Sequence, residues 1–150
     1  MITWQLKTFA ELTTKELYQL LKLRVNIFVV EQTCPYPELD DKDHQDGVYH
    51  LLGYADNQLV ANARLLPAGI SFDSVSIGRV ATHKQYRATG LGHQLMQQAI
   101  IHCENLWPGV SIEIGAQQHL TPFYQRHGFI QTSEMYLEDD IPHVDMKLSK

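Results

Sequence analysis

Alternation opens the chain. Ile2, Trp4 and Leu6 alternate with Thr3, Gln5 and Lys7, which predicts a strand with one face buried. Thr13-Thr14-Lys15-Glu16 reads as a capping box, with Thr13 as cap and Glu16 reaching back. Leu17, Leu20, Leu21, Val25 and Phe28 then trace the stripe of an amphipathic helix that runs out near Phe28 to Val30. From Glu31 to Gly47 the pattern breaks: Pro35 and Pro37 prevent regular structure, and Glu38, Asp40, Asp41, Asp43 and Asp46 crowd together. Two strand patterns, Val48 to Ala55 and Leu59 to Leu66, flank the hairpin signal Asp56-Asn57-Gln58. Pro67-Ala68-Gly69 turns the chain toward a third strand, Val75 to Thr82, and three consecutive antiparallel strands are the economical topology.

The period then changes. Leu91, Leu95, Ala99 and Cys103 recur at spacing four, reinforced by Met96 and Ile100, and Trp107-Pro108-Gly109 stops the helix they predict. Val110 to Ala116 reads as a short strand and Leu120 to His127 as a short helix with Pro122 in its first turn. Ile130 to Leu137 and Val144 to Leu148 close the sheet as a final pair. The order predicts mixed α/β (α+β) architecture with a largely antiparallel sheet and one parallel crossover around the long helix. With 150 residues and no repeat or linker, a single domain over 1–150 is expected.

Composition narrows the classes. A hydrophobic content of 44% with mixed charge marks a soluble globular chain. No apolar run reaches membrane-spanning length and no basic-then-apolar leader opens it, so cytoplasmic residence without a membrane partner is expected. Cys34 and Cys103 suggest no disulfide framework, and Cys103 packs on the apolar helix face. The net charge of −5 argues against nucleic acid and suits a cationic acceptor such as an amine. A calcium loop at Asp41-x-Asp43 fails, because Gly47 is one position late and Leu52 stands where a bidentate Glu belongs. A metal module on Asp40, Asp43, His44 and His50 matches no ligand spacing, so no metal is expected. Two readings of the acidic loop stay open: a solvated face, or a cover over the acceptor site that attracts an ammonium group.

Candidate chemistry centres on Arg87-Ala88-Thr89-Gly90-Leu91-Gly92, where a strand turns into the long helix. Such a turn leaves N–H groups without intrahelical partners, and the helix dipole makes it an anion site. Glycine permits close approach of a phosphate, and Arg87 is placed to clamp it. The turn reads as a pyrophosphate cradle. It is no Walker loop, since His93 and Gln94 follow Gly92, and no dinucleotide fingerprint, since Leu95 stands where a third glycine belongs. A helix start whose glycines serve tight packing remains the alternative.

The segment Val80-Ala81-Thr82-His83-Lys84-Gln85-Tyr86-Arg87-Ala88-Thr89-Gly90-Leu91-Gly92 resembles motif A of the GNAT superfamily of acyl-CoA-dependent N-acetyltransferases, Arg/Gln-x-x-Gly-x-Gly/Ala. Phe123-Tyr124-Gln125-Arg126-His127-Gly128-Phe129 resembles the family's closing motif. Phe28 to Tyr36 and Ile141-Pro142-His143 resemble its ElaA-type branch. The resemblance implies a central, mostly antiparallel sheet of six to seven strands flanked by helices. In that fold the fourth and fifth strands splay to admit the pantetheine of acetyl-CoA, the acyl donor.

Carried over residue by residue, the resemblance places the backbone amides of Val80, Ala81 and Thr82 on the pantetheine and the thioester carbonyl. Arg87, Ala88, Thr89, Gly90, Leu91, Gly92 and His93 surround the pyrophosphate, and Phe123 joins the cofactor channel. Where many members carry an Asn, this chain reads Gln117-Gln118-His119, so His119 either caps the helix or lines that channel. Tyr124 matches the usual general acid, whose phenol protonates the departing thiolate; the bland alternative is an aromatic packing beside Phe123. His50, His143, Glu31 and Glu113 are candidate bases by type, beside a water relay, and His143 is preferred for its place near the acceptor. Glu31, Tyr36 and His50 are the expected acceptor contacts, with Trp4, Tyr36 and Tyr49 able to line an apolar part of the pocket or the core. The acceptor is a small-molecule or peptide amine, and pairing of the last strands makes a homodimer a candidate assembly. The competing function is a non-catalytic acetyl-CoA-binding sensor or interaction domain.

Overall fold

Strand β1 (Ile2–Thr8) turns Ile2, Trp4 and Leu6 inward, as its alternation requires, and pairs antiparallel with β2 (Tyr49–Ala55). The structure is a computed structural model and describes residues 1–34 and 36–149; Pro35, expected to break regular structure, lies outside the described residues. Helix α1 (Thr14–Val25) starts on its capping box: the Glu16 amide donates to the Thr13 hydroxyl at 3.1 Å, and the Thr13 amide donates to the Glu16 carboxylate at 2.9 Å. The helical stretch ends next to Val30, close to where the stripe runs out, but its last part widens into a π turn, Asn26–Glu31. Such turns are rare and concentrate at functional sites.

A two-residue turn at Asp56 and Asn57 joins β2 to β3 (Gln58–Leu66), which is buried along all but its first residue and pairs antiparallel with β4 (Val75–Thr82). Helix α2 (Leu91–Leu106) then crosses over to β5 (Ile112–Gln117), which lies parallel to β4. Beyond the short α3 (Thr121–Gln125), strands β6 (Ile130–Gln131) and β7 (Tyr136–Glu138) both pair with β8 (Ile141–Leu148). The sheet order is β1-β2-β3-β4-β5-β8-β6, with β7 also on β8. The eight strands exceed the expected six to seven because the 130–137 stretch divides: the Ser133 hydroxyl accepts the Asp145 amide at 2.9 Å in place of a ladder rung.

Helix α2 packs Leu95, Met96, Ala99 and Cys103 on one face of the sheet, against Ala63, Leu65, Ile77 and Ile114. Helix α1 and its π turn pack Leu20, Leu23 and Ile27 against Leu52, Leu59 and Ala81. Cys103 is buried as expected, and burial pushes its thiol up to about 12. Trp4 and Tyr49 join the α2-side cluster, Tyr49 meeting Trp107 edge-on with ring centroids 6.2 Å apart. Among the described residues no helix is long and apolar enough to cross a membrane.

Two irregularities of β4 shape the site. It pairs with β5 over two rungs, Val75 with Ile112 and Ser76 with Glu113, after which the strands diverge. It also carries a bulge: Asn62 faces Ala81 and Arg64 faces Gly78, so one extra residue of β4 opposes β3.

Candidate active site

The divergence leaves the facing edges of residues 77–82 and 114–117 without rungs between them. Strand alternation tells which groups line that gap. His83 donates its amide to the Val60 carbonyl at 2.7 Å, so the Ala81 amide also turns toward β3, while those of Val80 and Thr82 turn toward β5. Of the three amides expected on the pantetheine, Val80 and Thr82 therefore border the cleft.

Past Thr82 the chain winds through a 3-10 turn, Lys84–Thr89, opened by the Gln85 amide donating to His83 Nδ1 at 3.2 Å. Gly90 follows as the N-cap of α2 in left-handed geometry, φ 82°, with no side-chain cap. The Gln94 amide donates to the Gly90 carbonyl at 3.2 Å, so the N–H groups of Leu91, Gly92 and His93 precede the helical ladder. A Cβ at Gly90 would meet nothing within 4 Å, and one at Gly92 would stand 3.4 Å from the Phe123 ring. Open donors, dipole and room fit a diphosphate. The His93 ring packs tilted against Phe123, centroids 4.6 Å apart, and lies 3.0 Å from His127, Nδ1 to Nε2. Partial burial, with the His93 charge, pushes His127 down from its ordinary range.

Arg87 has other partners in this structure. Its guanidinium pairs with Glu31 at 2.7 Å and reaches the Thr82 carbonyl at 3.3 Å, tying the π turn to the end of β4. The two charged residues and His83 border a cavity of about 290 Å³ floored by Leu23, Ile27 and Val30. Ala88 and Thr89 are exposed beside it, the Thr89 hydroxyl donating to the Tyr86 carbonyl at 2.6 Å.

Tyr124 is buried on α3, edge-on to Phe123 at 5.1 Å and to Phe129 at 6.1 Å. Burial pushes its phenol up to about 12, so it holds its proton at neutral pH. His119 is exposed in the turn before α3, whose N-cap is Leu120; His119 does not cap it. His143 faces Gln117 across the β5–β8 ladder, at the divergent end of β5. Its ring stacks with Tyr136 at 6.0 Å, Nδ1 lies 2.8 Å from the Ile141 carbonyl and Nε2 3.4 Å from Glu138. A carbonyl partner assigns the proton to Nδ1, and a proton gained at Nε2 would be donated to the Glu138 carboxylate beside it. Glu113 sits opposite Lys147 in the β5–β8 ladder.

A buried ion network ties the acidic loop to α1 and the sheet. Arg24 of α1 pairs with Glu38 at 2.6 Å and Asp43 at 2.9 Å; Arg64 of β3 with Asp40 at 2.7 Å and Asp43 at 3.0 Å; Arg79 of β4 with Glu38 at 2.8 Å and Asp40 at 3.3 Å. The acidic loop is thus neither a solvated face nor a set of free anions awaiting an ammonium group: at Glu38, Asp40 and Asp43 its carboxylates are neutralised by arginine. Asp41 and Asp46 remain exposed. Burial alone would raise the Asp40 carboxyl, but the hydrogen bonds and charge of Arg64 outweigh it and hold it at about 2. Burial is likewise overcome at Asp43, by Arg24 and Arg64, so its carboxyl also lies low. His50 belongs to this network, not to the cleft. It is fully buried, Nε2 meets the Asp43 carbonyl at 3.0 Å, and burial pushes its pKa down. Tyr36 joins through its hydroxyl, which donates to Glu38 at 2.7 Å.

Known proteins carry the same architecture. Residues 25–150 match the model of the acetyltransferase (GNAT) domain. Protein ElaA of Escherichia coli strain K12 is 43% identical over 146 residues, covering 97% of this chain and 95% of that protein. Its crystal structure matches with a TM-score of 0.92 over 98% of this chain and 99% of that one. An acyl-CoA N-acyltransferase from Pseudomonas aeruginosa matches at 46% identity and a TM-score of 0.95, over 99% of this chain and 100% of that one. A GNAT family acetyltransferase from Elizabethkingia anophelis with acetyl-CoA bound shares the fold, at 16% identity and a TM-score of 0.70, over 99% of this chain and 98% of that one. This chain belongs to the GNAT acetyltransferase family, in the branch that includes ElaA.

Proposed function

We propose that this protein transfers an acetyl group from acetyl-CoA to a primary amine of a small molecule or peptide, by direct attack in a ternary complex. One observation carries the reading: β4 and β5 part after two rungs, beside a helix start whose amides are uncapped. Acetyl-CoA, when bound, supplies the reactive thioester. The amides of Leu91, Gly92 and His93 hold the diphosphate, with Arg87 at hand once it leaves Glu31. Val80 and Thr82 hold the pantetheine arm through their cleft-facing amides, and Val80 donates to the thioester oxygen. His143 Nε2 accepts the amine's proton, directly or through water, and Tyr124 returns one to the departing sulfur. Position matters most in this scheme, because holding both reactants near attack distance removes much of the entropic barrier.

Incubation with acetyl-CoA and a panel of amines, followed by assay of free thiol, tests the function. Amine-dependent thiol release is expected. Tight acetyl-CoA binding with no release for any amine would replace the transferase by a sensor. Gly90→Ala probes the cradle separately. Its Cβ has room, but a side chain disfavours the left-handed backbone, and relaxation re-aims the uncapped amides. The dissociation constant for acetyl-CoA by calorimetry is expected to rise about tenfold, roughly 1.4 kcal/mol. Unchanged affinity would place the diphosphate elsewhere.

A further inference from the structure

Among the described residues, Arg79 is the one non-glycine residue inside a strand with a left-handed backbone, φ 49°; Thr33, Asp41, Asp56, Asp139 and Asp140 share that geometry but lie in turns or loops. Side chains rarely adopt it unless their surroundings enforce it. Here the enforcement is visible. Arg79 Nε donates to Glu38 at 2.8 Å, one Nη donates to the Glu38 carbonyl and to Asp40 at 3.3 Å each, and the guanidinium lies 5.4 Å from the Tyr36 ring centre. Glu38 is itself fixed by Arg24 and the Tyr36 hydroxyl.

The consequence lies in the cleft. Gly78 faces Arg64, an even number of ladder positions from the bonded pair Asn62–Ala81, so both pairs turn their amides toward the neighbouring strand. Counted onward from Gly78 without the extra residue, the Val80 amide would also point at β3. The insertion at Arg79 reverses that and turns it toward β5. We propose that Arg79 is a positioning residue for acyl transfer: its ion pairs with Glu38 and Asp40 hold the β4 bulge that aims the Val80 amide into the cleft. This rests on the acyltransferase reading above. Arg79 does not meet the amine itself, since its donors are committed to the loop and its charge would repel an ammonium.

Arg79→Ala and Arg79→Gly test it. In both, Arg24 still neutralises Glu38 and Arg64 still neutralises Asp40, so no buried carboxylate loses its last partner. Alanine resists the left-handed backbone and glycine accepts it. The readouts are CoA affinity by calorimetry, the isotope-edited infrared carbonyl band of bound acetyl-CoA, turnover, and melting temperature. For Arg79→Ala, CoA affinity should stay within about threefold of wild type, while the band returns toward its solution position and kcat falls about 100-fold, the loss of one oxyanion donor. Arg79→Gly should restore the band and most of the turnover at a melting temperature no higher than that of Arg79→Ala. A wild-type band and turnover in Arg79→Ala would overturn the proposal. So would equal losses in both variants, which would leave the side chain a role in stability alone. Failure of wild type to bind acetyl-CoA would instead overturn the acyltransferase reading, and this inference with it.

Discussion

Arg24→Ala is expected to destabilise the protein by about 3–5 kcal/mol, the usual consequence of removing one partner from a buried ion network. Arg24 is fully buried and serves two carboxylates, Glu38 and Asp43, from one guanidinium. Its loss leaves three carboxylates facing two arginines in a region that water does not reach freely. Arg24→Lys should recover little, because an ammonium cannot reproduce the planar fork. Acid probes the same network. Asp40 and Asp43 titrate below their ordinary 3.8, Asp40 at about 2. A carboxyl with a depressed native pKa contributes stability that is complete above its unfolded pKa and is lost as pH falls through the native one. Wild type should therefore lose this contribution between about pH 4 and pH 2, and Arg24→Ala, with Asp43 less depressed, should show a shallower loss. Urea unfolding at stepped pH measures both. Coincident midpoints for variant and wild type at neutral pH would show that the network carries no stability.

That network also marks where the sequence stops being readable. The capping box at Thr13, the hairpin at Asp56 and Asn57, and the crossover helix from Leu91 are local patterns, and each forms where its residues predict. Arg24 gave a signal of a different kind. It lies four residues from both Leu20 and Phe28, squarely on the apolar stripe of α1, as Arg64 lies within the buried run of β3. An arginine in a core position requires a carboxylate, and the nearest unexplained carboxylates are those of the following loop. Taken alone, that loop reads as solvated; taken with the arginines, it must fold inward. The glycine cradle was legible because its chemistry resides in consecutive residues. The bulge was not, since an extra residue in β4 exists only relative to β3, and the direction of the Val80 amide depends on that register. Arg87 shows the same limit: its place in the motif is sequential, but its pairing with Glu31 spans the fold.

Tyr124→Phe is expected to lower kcat about 10²- to 10⁴-fold, the span of a general acid, while leaving CoA affinity close to wild type. The substitution is clean because the ring makes aromatic contacts, with Phe123 and Phe129, which phenylalanine retains. Its urea midpoint should therefore match wild type, separating a chemical loss from a packing loss. The pH profile supplies an independent check. Burial pushes the Tyr124 phenol up to about 12, so the acid stays protonated through the range in which an ordinary phenol, near 10, would titrate. Turnover should accordingly show no alkaline loss near pH 10. If Tyr124→Phe turned over at the wild-type rate, the sulfur would take its proton from solvent, and Tyr124 would be a packing residue alone.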